Sequence, residues 1–393
     1  MNLKNIKNLD LRNKKVLLRV NFDLPIKNGK ILDDSRIKAH LPTIFYLIKK
    51  KAKVILISHL NNPQKIKNKE LRIKKCGLKP VFENLKSQIS NLKFVNDCLG
   101  KKVEEEIDKL KGGEVILLEN LRFYPEEEKN DKNFAKKLAN LADIYINDAF
   151  PVCHRKNASL SAITNYLPSY AGFLLEKEIK NLSQVLKKPD SPFIILLGGA
   201  KISTKLPMIK NFIKKADKIL IGGALANTFF KAKNLNISQS IYESKMIKEA
   251  KELLKNEKII LPIDVKIKLK TKIQNLKLNQ LAQFKNFKIL DIGQMTIRMF
   301  ANYLKSAKMI VWNGPMGFFE KKPFEIGTKE IIKEILKNKK AKIFIGGGET
   351  IASLQFLNYK NKIPKNVFIS TGGGAMLDFL SGKILPGIKP LLK

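Results

Sequence analysis

The stretch KIFIGGGETIASL, Lys342 to Leu354, runs from a short apolar segment into three glycines, then into a helical pattern opened by a carboxylate and a threonine. Glycine costs conformational entropy wherever it sits, so a triplet implies a backbone that turns sharply or approaches something closely. An apolar run ending in glycine and passing straight into a helix is the repeating unit of a parallel sheet covered on both faces.

The same grammar recurs along the chain. The first half offers VLLRVNF (16–22), KVILISHL (53–60), KFVND (93–97), EVILLEN (114–120) and DIYINDAF (143–150), with a weaker candidate at SYAGFLL (169–175). The second half offers FIILLGG (193–199), KILIGG (218–223), KIILPID (258–264), KILDIG (288–293), KMIVWNG (308–314), KIFIGGG (342–348) and NVFISTGGG (366–374). Between the halves, FLLEKEIKNLSQVLKKPDSP (173–192) reads as one amphipathic helix ended by Pro189 and Pro192. The expected architecture is α/β, with two doubly wound, Rossmann-like parallel-sheet domains joined by a hinge helix.

Bulk properties agree. A chain of 393 residues, 44% hydrophobic, exceeds the usual size of one domain. No apolar run reaches the ~18 residues that cross a bilayer, and MNLKNIKNLDLRNKK has no signal-peptide core, so a soluble cytoplasmic protein is expected. The cysteines, Cys76, Cys98 and Cys153, form neither a CxxC pair nor an even set, which points away from disulfides and zinc. Lys+Arg number 75 against 35 Asp+Glu, a net charge of +40. The lysines are spread along the whole chain instead of gathered in one arm or helix, so they read as decoration of solvated faces; specific nucleic-acid binding is not expected.

In open α/β sheets ligands bind beyond the carboxyl ends of the strands. In the first half those ends carry Arg19, Asn21 and Asp23, then His59, Arg122, and His154 with Arg155. The chain has seven arginines among its 75 cations, and Arg19, Arg36, Arg122 and Arg155 all fall at or just past these ends. A planar fork there suits a small anion bearing phosphate and carboxylate groups. In the second half the ends are bare backbone: Gly198-Gly199, Gly222-Gly223, Asn313-Gly314-Pro315, Gly346-Gly347-Gly348 and Gly372-Gly373-Gly374. Glycine turns leading into helix N-termini suit the phosphates of a nucleotide. No GxxxxGK[ST] loop, GxGxxG fingerprint, HRD or DFG is present, which excludes P-loop enzymes and protein kinases and weakens a dehydrogenase. In GGAKISTKL, Lys201 and Lys205 stand at i, i+4, expected on one helix face, where like charges cost energy unless an anion lies between them.

Taken in order, VLLRVNFDLP, SHL, LLENLRF, NDAF with HR, LLGGAK, VWNGPMGFFE, GGGET and STGGGA with LPGI resemble the phosphoglycerate kinase family from about Lys15 to Ile388. The resemblance implies reversible phosphoryl transfer between 1,3-bisphosphoglycerate and ADP to give 3-phosphoglycerate and ATP, with Mg2+ and closure about the joining helix. It implies a 3-phosphoglycerate-binding domain at 1–172, an interdomain helix at 173–190 and a nucleotide-binding domain at 191–379, with a tail from about 380 to 393 packing back on the first. By motif position, Asn21, Asp23, Arg36, His59, Arg122 and Arg155 would hold the glycerate. Gly198, Gly199, Lys201, Lys205, Gly222, Gly223, Asn313, Pro315, Glu320, Gly346, Gly347, Gly348, Glu349 and Thr350 would hold ATP or ADP. Arg36, Lys201, Lys205 and Gly373 would stabilise the transferring group, and Glu349 would meet Mg2+. The partners implied are these small molecules alone, for a monomer in the cytoplasm.

The chain departs from the family pattern at several positions. Asn21-Phe22-Asp23 exchanges the usual carboxylate and amide, Asn61-Asn62-Pro63 replaces Gly-Arg-Pro, and Pro151 stands for glycine. Lys156-Asn157 replaces a small residue and histidine, Gln294 a proline, and Glu349 an aspartate. The alternative reading is therefore a nucleotide-binding homologue with weakened or lost glycerate activity.

Overall fold

The structure, a computed structural model, describes residues 1–187, 189–359 and 362–393. The chain forms two compact units: Met1–Lys180 with Ile384–Lys393, and Asn181–Lys383.

Unit 1 is built on a six-stranded parallel sheet in the order β5-β6-β4-β1-β7-β8, comprising β1 (Lys15–Arg19), β4 (Lys53–Ile57), β5 (Leu92–Val95), β6 (Val115–Leu118), β7 (Ile144–Asn147) and β8 (Ser169–Ala171). A two-stranded hairpin, β2 (Ile26–Lys27) with β3 (Lys30–Ile31), lies beside it in sequence. Side chains alternate across a strand, and here both faces are buried. Val16, Leu18, Val54, Leu56, Val115 and Leu117 enter one apolar cluster, while Leu17, Ile55, Ile57, Ile116 and Leu118 enter another. The apolar runs lack polar alternation for this reason. The last residues of the chain belong to this unit: Leu3 bridges Leu392, and Asn147 Nδ2 donates to Gly387 O at 2.9 Å.

Unit 2 repeats the plan in the order β11-β10-β9-β15-β16-β17, with β9 (Phe193–Leu197), β10 (Lys218–Ile221), β11 (Ile259–Ile260), β15 (Met309–Asn313), β16 (Lys342–Gly346) and β17 (Val367–Ile369). Two runs expected in this sheet behave otherwise. KILDIG forms β14 (Lys288–Ile292) of a separate antiparallel sheet, with β12 (Asp264–Lys268) at its centre and β13 (Ile273–Lys277) on the far side. KIILPID gives only the two residues of β11 before Asp264 opens β12. The physical reason is in the pattern: FIILL is buried at every position, whereas KILDI begins exposed and alternates, as a half-covered antiparallel strand does.

The helix expected at 173–192 spans Phe173–Lys187; Lys188 lies outside the described residues, and Pro189 and Pro192, which cannot continue a helix, follow. Among the described residues no helix is long and apolar enough to cross a membrane.

In each unit the strand order reverses beside the first strand, between β1 and β7 in unit 1 and between β9 and β15 in unit 2. Crevices at such switch points are where doubly wound folds take ligands.

Candidate active site

At the unit 1 switch point the chain leaves β1 and turns at Asn21-Phe22-Asp23. Backbone N–H groups of this turn find side-chain acceptors, because a strand end has no further ladder partner. Asn21 N–H donates to His40 Nε2 at 3.0 Å, Phe22 N–H to Ser58 Oγ at 2.9 Å and Asp23 N–H to Asn21 Oδ1 at 3.2 Å. The Asn21 carboxamide is thus turned onto its own loop, while Asp23 Oδ1 accepts from Asn61 N–H at 2.9 Å and joins the loops after β1 and β4. Arg36 Nη1 donates to Asp23 O, which places its guanidinium on the same loop.

Arg19 lies underneath, 1% exposed, donating to Ser159 Oγ at 2.9 Å and to His59 Nδ1 at 2.9 Å, with Glu127 at 4.0 Å as its countercharge. A guanidinium only donates, so His59 Nδ1 accepts and the ring carries its proton on Nε2. Burial pushes the His59 pKa well below its ordinary value, and Arg19, Arg122, Arg155 and Arg36 push it further. His59 is therefore a neutral N–H donor set among four cations. Arg122, nearly buried, gives Nη1 to Asn61 O at 2.6 Å and faces Glu128 at 3.1 Å. Arg155 is exposed, and its charge reaches both His59 and Arg122. The arrangement presents guanidiniums and one neutral imidazole to an anion.

The unit 2 switch point is made of backbone. Gly198 N–H donates to Asn313 O and Gly199 N–H to Pro315 O, each at 2.9 Å, and Gly223 N–H to Met316 O at 3.0 Å. A Cβ on Gly198 would overlap the carbonyls of Gly314 and Pro315, so the two strand ends approach as only glycine permits. Asn313 Nδ2 donates to Gly346 O at 2.8 Å, and buried Thr350 accepts from Gly314 N–H at 2.7 Å while giving its hydroxyl to Gly346 O at 2.9 Å. These side chains brace the loops after β15 and β16. Gly347 caps helix Gly348–Phe356 with φ 103°, and Gly373 caps helix Gly374–Leu380 with φ 51°.

Lys205 and Glu349 come to the same spot. A Cβ placed on Gly199 would lie 3.0 Å from Glu349 Oε2 and 3.6 Å from Lys205 Nζ. Lys205 is 7% exposed, and burial lowers its pKa against the opposing pull of Glu349 and Glu243. Lys201 is exposed. The expected shared helix face is absent: Lys201 lies in irregular chain, residues 203–205 form a turn with Lys205 N–H bonded to Ile202 O at 2.8 Å, and the helix begins at Leu206. Pro207 sets that start, because a proline deeper in a helix would remove an intrahelical hydrogen bond. Beside these groups a cavity of about 490 Å³ opens, walled by Ile241, Leu290, Phe318 and Phe319, with Gly222 behind Met316 and Glu320 and Glu349 on its rim.

The comparisons bear on the whole chain. The family model described as phosphoglycerate kinase matches residues 6–383. The chain belongs to the phosphoglycerate kinase family. Curated relatives include a phosphoglycerate kinase of Pseudothermotoga lettingae, 46% identical over 98% of each chain, and one of Dictyoglomus turgidum, 45% identical over 97% of this chain and 96% of its own. Solved structures of phosphoglycerate kinase from Coxiella burnetii (TM-score 0.85, 36% identical, 99% of each chain) and Pyrococcus horikoshii (0.85, 35%, 99% and 98%) share its fold.

Phosphoglycerate kinases use Mg2+ with ATP or ADP. Among the described residues no three His, Cys, Asp or Glu are grouped to hold a metal by themselves. The exposed carboxylate of Glu349 beside Gly199 and Lys205 fits an ion that takes one protein oxygen and completes its octahedron with phosphate and water, as Mg2+ does.

Sequence reasoning passed over His40, Glu127 and Ser159 and gave Ser58, at the end of β4, no role; these four hold the unit 1 half-site from beneath. The signal that could have found His40 is its place among Ile37, Ile44 and Leu47 on the apolar face of helix Ser35–Lys49, where a histidine needs partners for both nitrogens.

Proposed function

We propose that the chain transfers a phosphoryl group reversibly between 1,3-bisphosphoglycerate and ADP, giving 3-phosphoglycerate and ATP. The observation that carries this reading is Lys205 and Glu349 meeting over the bare backbone of Gly199 at the unit 2 switch point. A desolvated ammonium and a metal-competent carboxylate beside a half-exposed glycine suit a polyphosphate.

In this reading unit 1 binds the glycerate through Asn21, Asp23, Arg36, His59, Arg122 and Arg155. Unit 2 binds the nucleotide: its phosphates at Gly199, Gly223, Gly347 and Gly348, its ribose at Glu320, its base in the apolar cavity; Gly198, Gly222 and Gly346, expected to meet the nucleotide, are instead buried beneath, where they let backbone and the side chains of Met316 and Met376 pack closely. Asn313, Pro315 and Thr350 shape that floor. Glu349, with the nucleotide phosphates, would hold Mg2+, which would supply positive charge to offset that of the transferring group. Lys201, Lys205, Arg36 and the N–H groups following Gly373 stabilise the equatorial oxygens as the bond to the leaving oxygen breaks and the bond to the glycerate carboxylate forms. No proton transfer is required, because the acceptor carboxylate is already ionised. The working form we propose is a cytoplasmic monomer with these small molecules as its partners.

The test is ATP formation from 1,3-bisphosphoglycerate and ADP with Mg2+. A rate far above background is expected; no rate, with nucleotide still bound, overturns the proposal in favour of a nucleotide-binding homologue.

A further inference from the structure

His40 is 1% exposed, and both ring nitrogens are engaged. Nε2 accepts from Asn21 N–H at 3.0 Å, and Nδ1 lies 2.9 Å from Asp148 Oδ2. A backbone N–H only donates, so Nε2 carries the lone pair and Nδ1 the proton, given to Asp148. The other oxygen, Asp148 Oδ1, accepts from Leu174 N–H at 2.8 Å and Leu175 N–H at 3.3 Å, in the first turn of helix Phe173–Lys187. Thr43, one turn beyond His40 on helix Ser35–Lys49, accepts from Phe173 N–H at 3.1 Å. The approach leaves no slack, since a Cβ on Gly172 would overlap the Asp148 carboxylate. The edge of the Phe22 and His40 rings closes the loop side, with centroids 5.8 Å apart at 81°.

We propose that His40 is a positioning residue for the glycerate half-site, a neutral imidazole that ties the Asn21–Asp23 loop to the start of helix Phe173–Lys187 through Asp148. The inference rests on reading that half-site as the place where 3-phosphoglycerate binds. The path is continuous: Asn21 N–H to His40, His40 to Asp148, Asp148 to the first free N–H groups of the helix. What it sets is the perch of the loop. Asp23 holds the 61–63 segment through Asn61 N–H, and Arg36 is seated on Asp23 O, so a loop released at Asn21 misplaces both. His40 touches no substrate in this role.

Two measurements test it. In steady-state kinetics with the full chain, His40→Ala is expected to raise KM for 3-phosphoglycerate about tenfold, the worth of one hydrogen bond of ordinary net strength, with KM for ATP unchanged. His40→Gln, whose carboxamide offers one donor and one acceptor at nearly the spacing of the ring nitrogens, is expected to restore most of the loss. Gly172→Ala, which presses on Asp148 from the helix side, is expected to act as His40→Ala does. A folded His40→Ala with both KM values unchanged overturns the inference, as does a Gln variant no better than Ala. Nitrogen NMR of the wild-type chain is the second measurement and needs no variant to fold. The chain has three histidines, and His40 is expected as the Nδ1–H tautomer while His59 is expected as Nε2–H. His40 as the Nε2–H tautomer, or as the imidazolium at neutral pH, overturns the inference. Wild-type protein that does not bind 3-phosphoglycerate overturns the reading of the half-site instead, and that result is distinguishable because it appears before any substitution is made.

Discussion

Asp291→Asn is expected to change stability in opposite directions at acid and alkaline pH. Asp291 lies near the end of β14, 3% exposed, with Oδ2 accepting from Gly327 N–H at 2.7 Å and Oδ1 from Ile292 N–H at 2.9 Å. Cβ atoms on Gly317 or Gly327 would overlap it, so it pins both ends of the loop that carries Glu320. Its cross-strand neighbour Lys266 sends its ammonium to Pro323 O at 3.0 Å. Burial therefore dominates and raises the carboxyl pKa from 3.8 to about 7, against the pull of Gly327 N–H, Lys266 and Ile292 N–H. The folded chain then holds a proton that the unfolded chain has lost. The stabilisation from that proton is fully present below the unfolded pKa and disappears as pH rises through about 7. Across the interval from 3.8 to about 7, at about 1.4 kcal/mol for each tenfold change, the swing is on the order of 4 kcal/mol. Asparagine does not titrate, but it turns an amide donor toward one of the two N–H groups, costing about 1–3 kcal/mol at every pH. The variant should be less stable than wild type near pH 4, where almost all of the proton-linked stabilisation is still present, and more stable, by roughly 1–3 kcal/mol, near pH 8.5. Denaturant unfolding followed by the single tryptophan, Trp312, buried at the end of β15, reads this unit directly. A stability difference constant to within about 0.5 kcal/mol across that range would refute the reasoning.

Arg36→Ala should lower turnover by roughly 10²–10³ while leaving nucleotide affinity intact, if it stabilises the transferring group from the glycerate side; steady-state rates with nucleotide titration check this, and unchanged turnover removes the assignment. Glu349→Ala should raise the Mg2+ concentration for half-maximal rate at least about tenfold, read from Mg2+ titrations at fixed nucleotide. Arg19→Met should destabilise unit 1 by about 3–5 kcal/mol by stranding Glu127 in the interior. Adding Glu127→Gln should recover much of that in a double-mutant cycle.

The sequence disclosed this protein unevenly, and the division follows how each contact is made. Strands buried on both faces announce themselves because every position is apolar, as in FIILL, and glycines announce a close backbone approach because no other residue allows it. The unit 2 half of the candidate site is nearly all of this kind, so its loops were legible in Gly198-Gly199, Gly222-Gly223 and Gly346-Gly347-Gly348. Short, half-covered strands were not: β13 is IQNLK, exposed at three of its five positions, and the hairpin of β2 and β3 has two residues on each side. The unit 1 half was legible only in its charges. Its arginines stand out in a lysine-rich chain, but what aims them is a set of pairings across long separations, His40 with Asp148 over 108 residues and Arg19 with Ser159 over 140. No local pattern encodes such a pair, since each member alone looks like a polar residue misplaced in a core. Substituting a loop residue whose neighbours reach it only through the fold changes a side chain without disturbing any local rule, whereas a Cβ at Gly198 strikes backbone at once. A substitution in the unit 1 loops therefore breaks no local rule, while the geometry of the Asn21–Asp23 loop is held by supports beneath it, His40 and Asp148 among them.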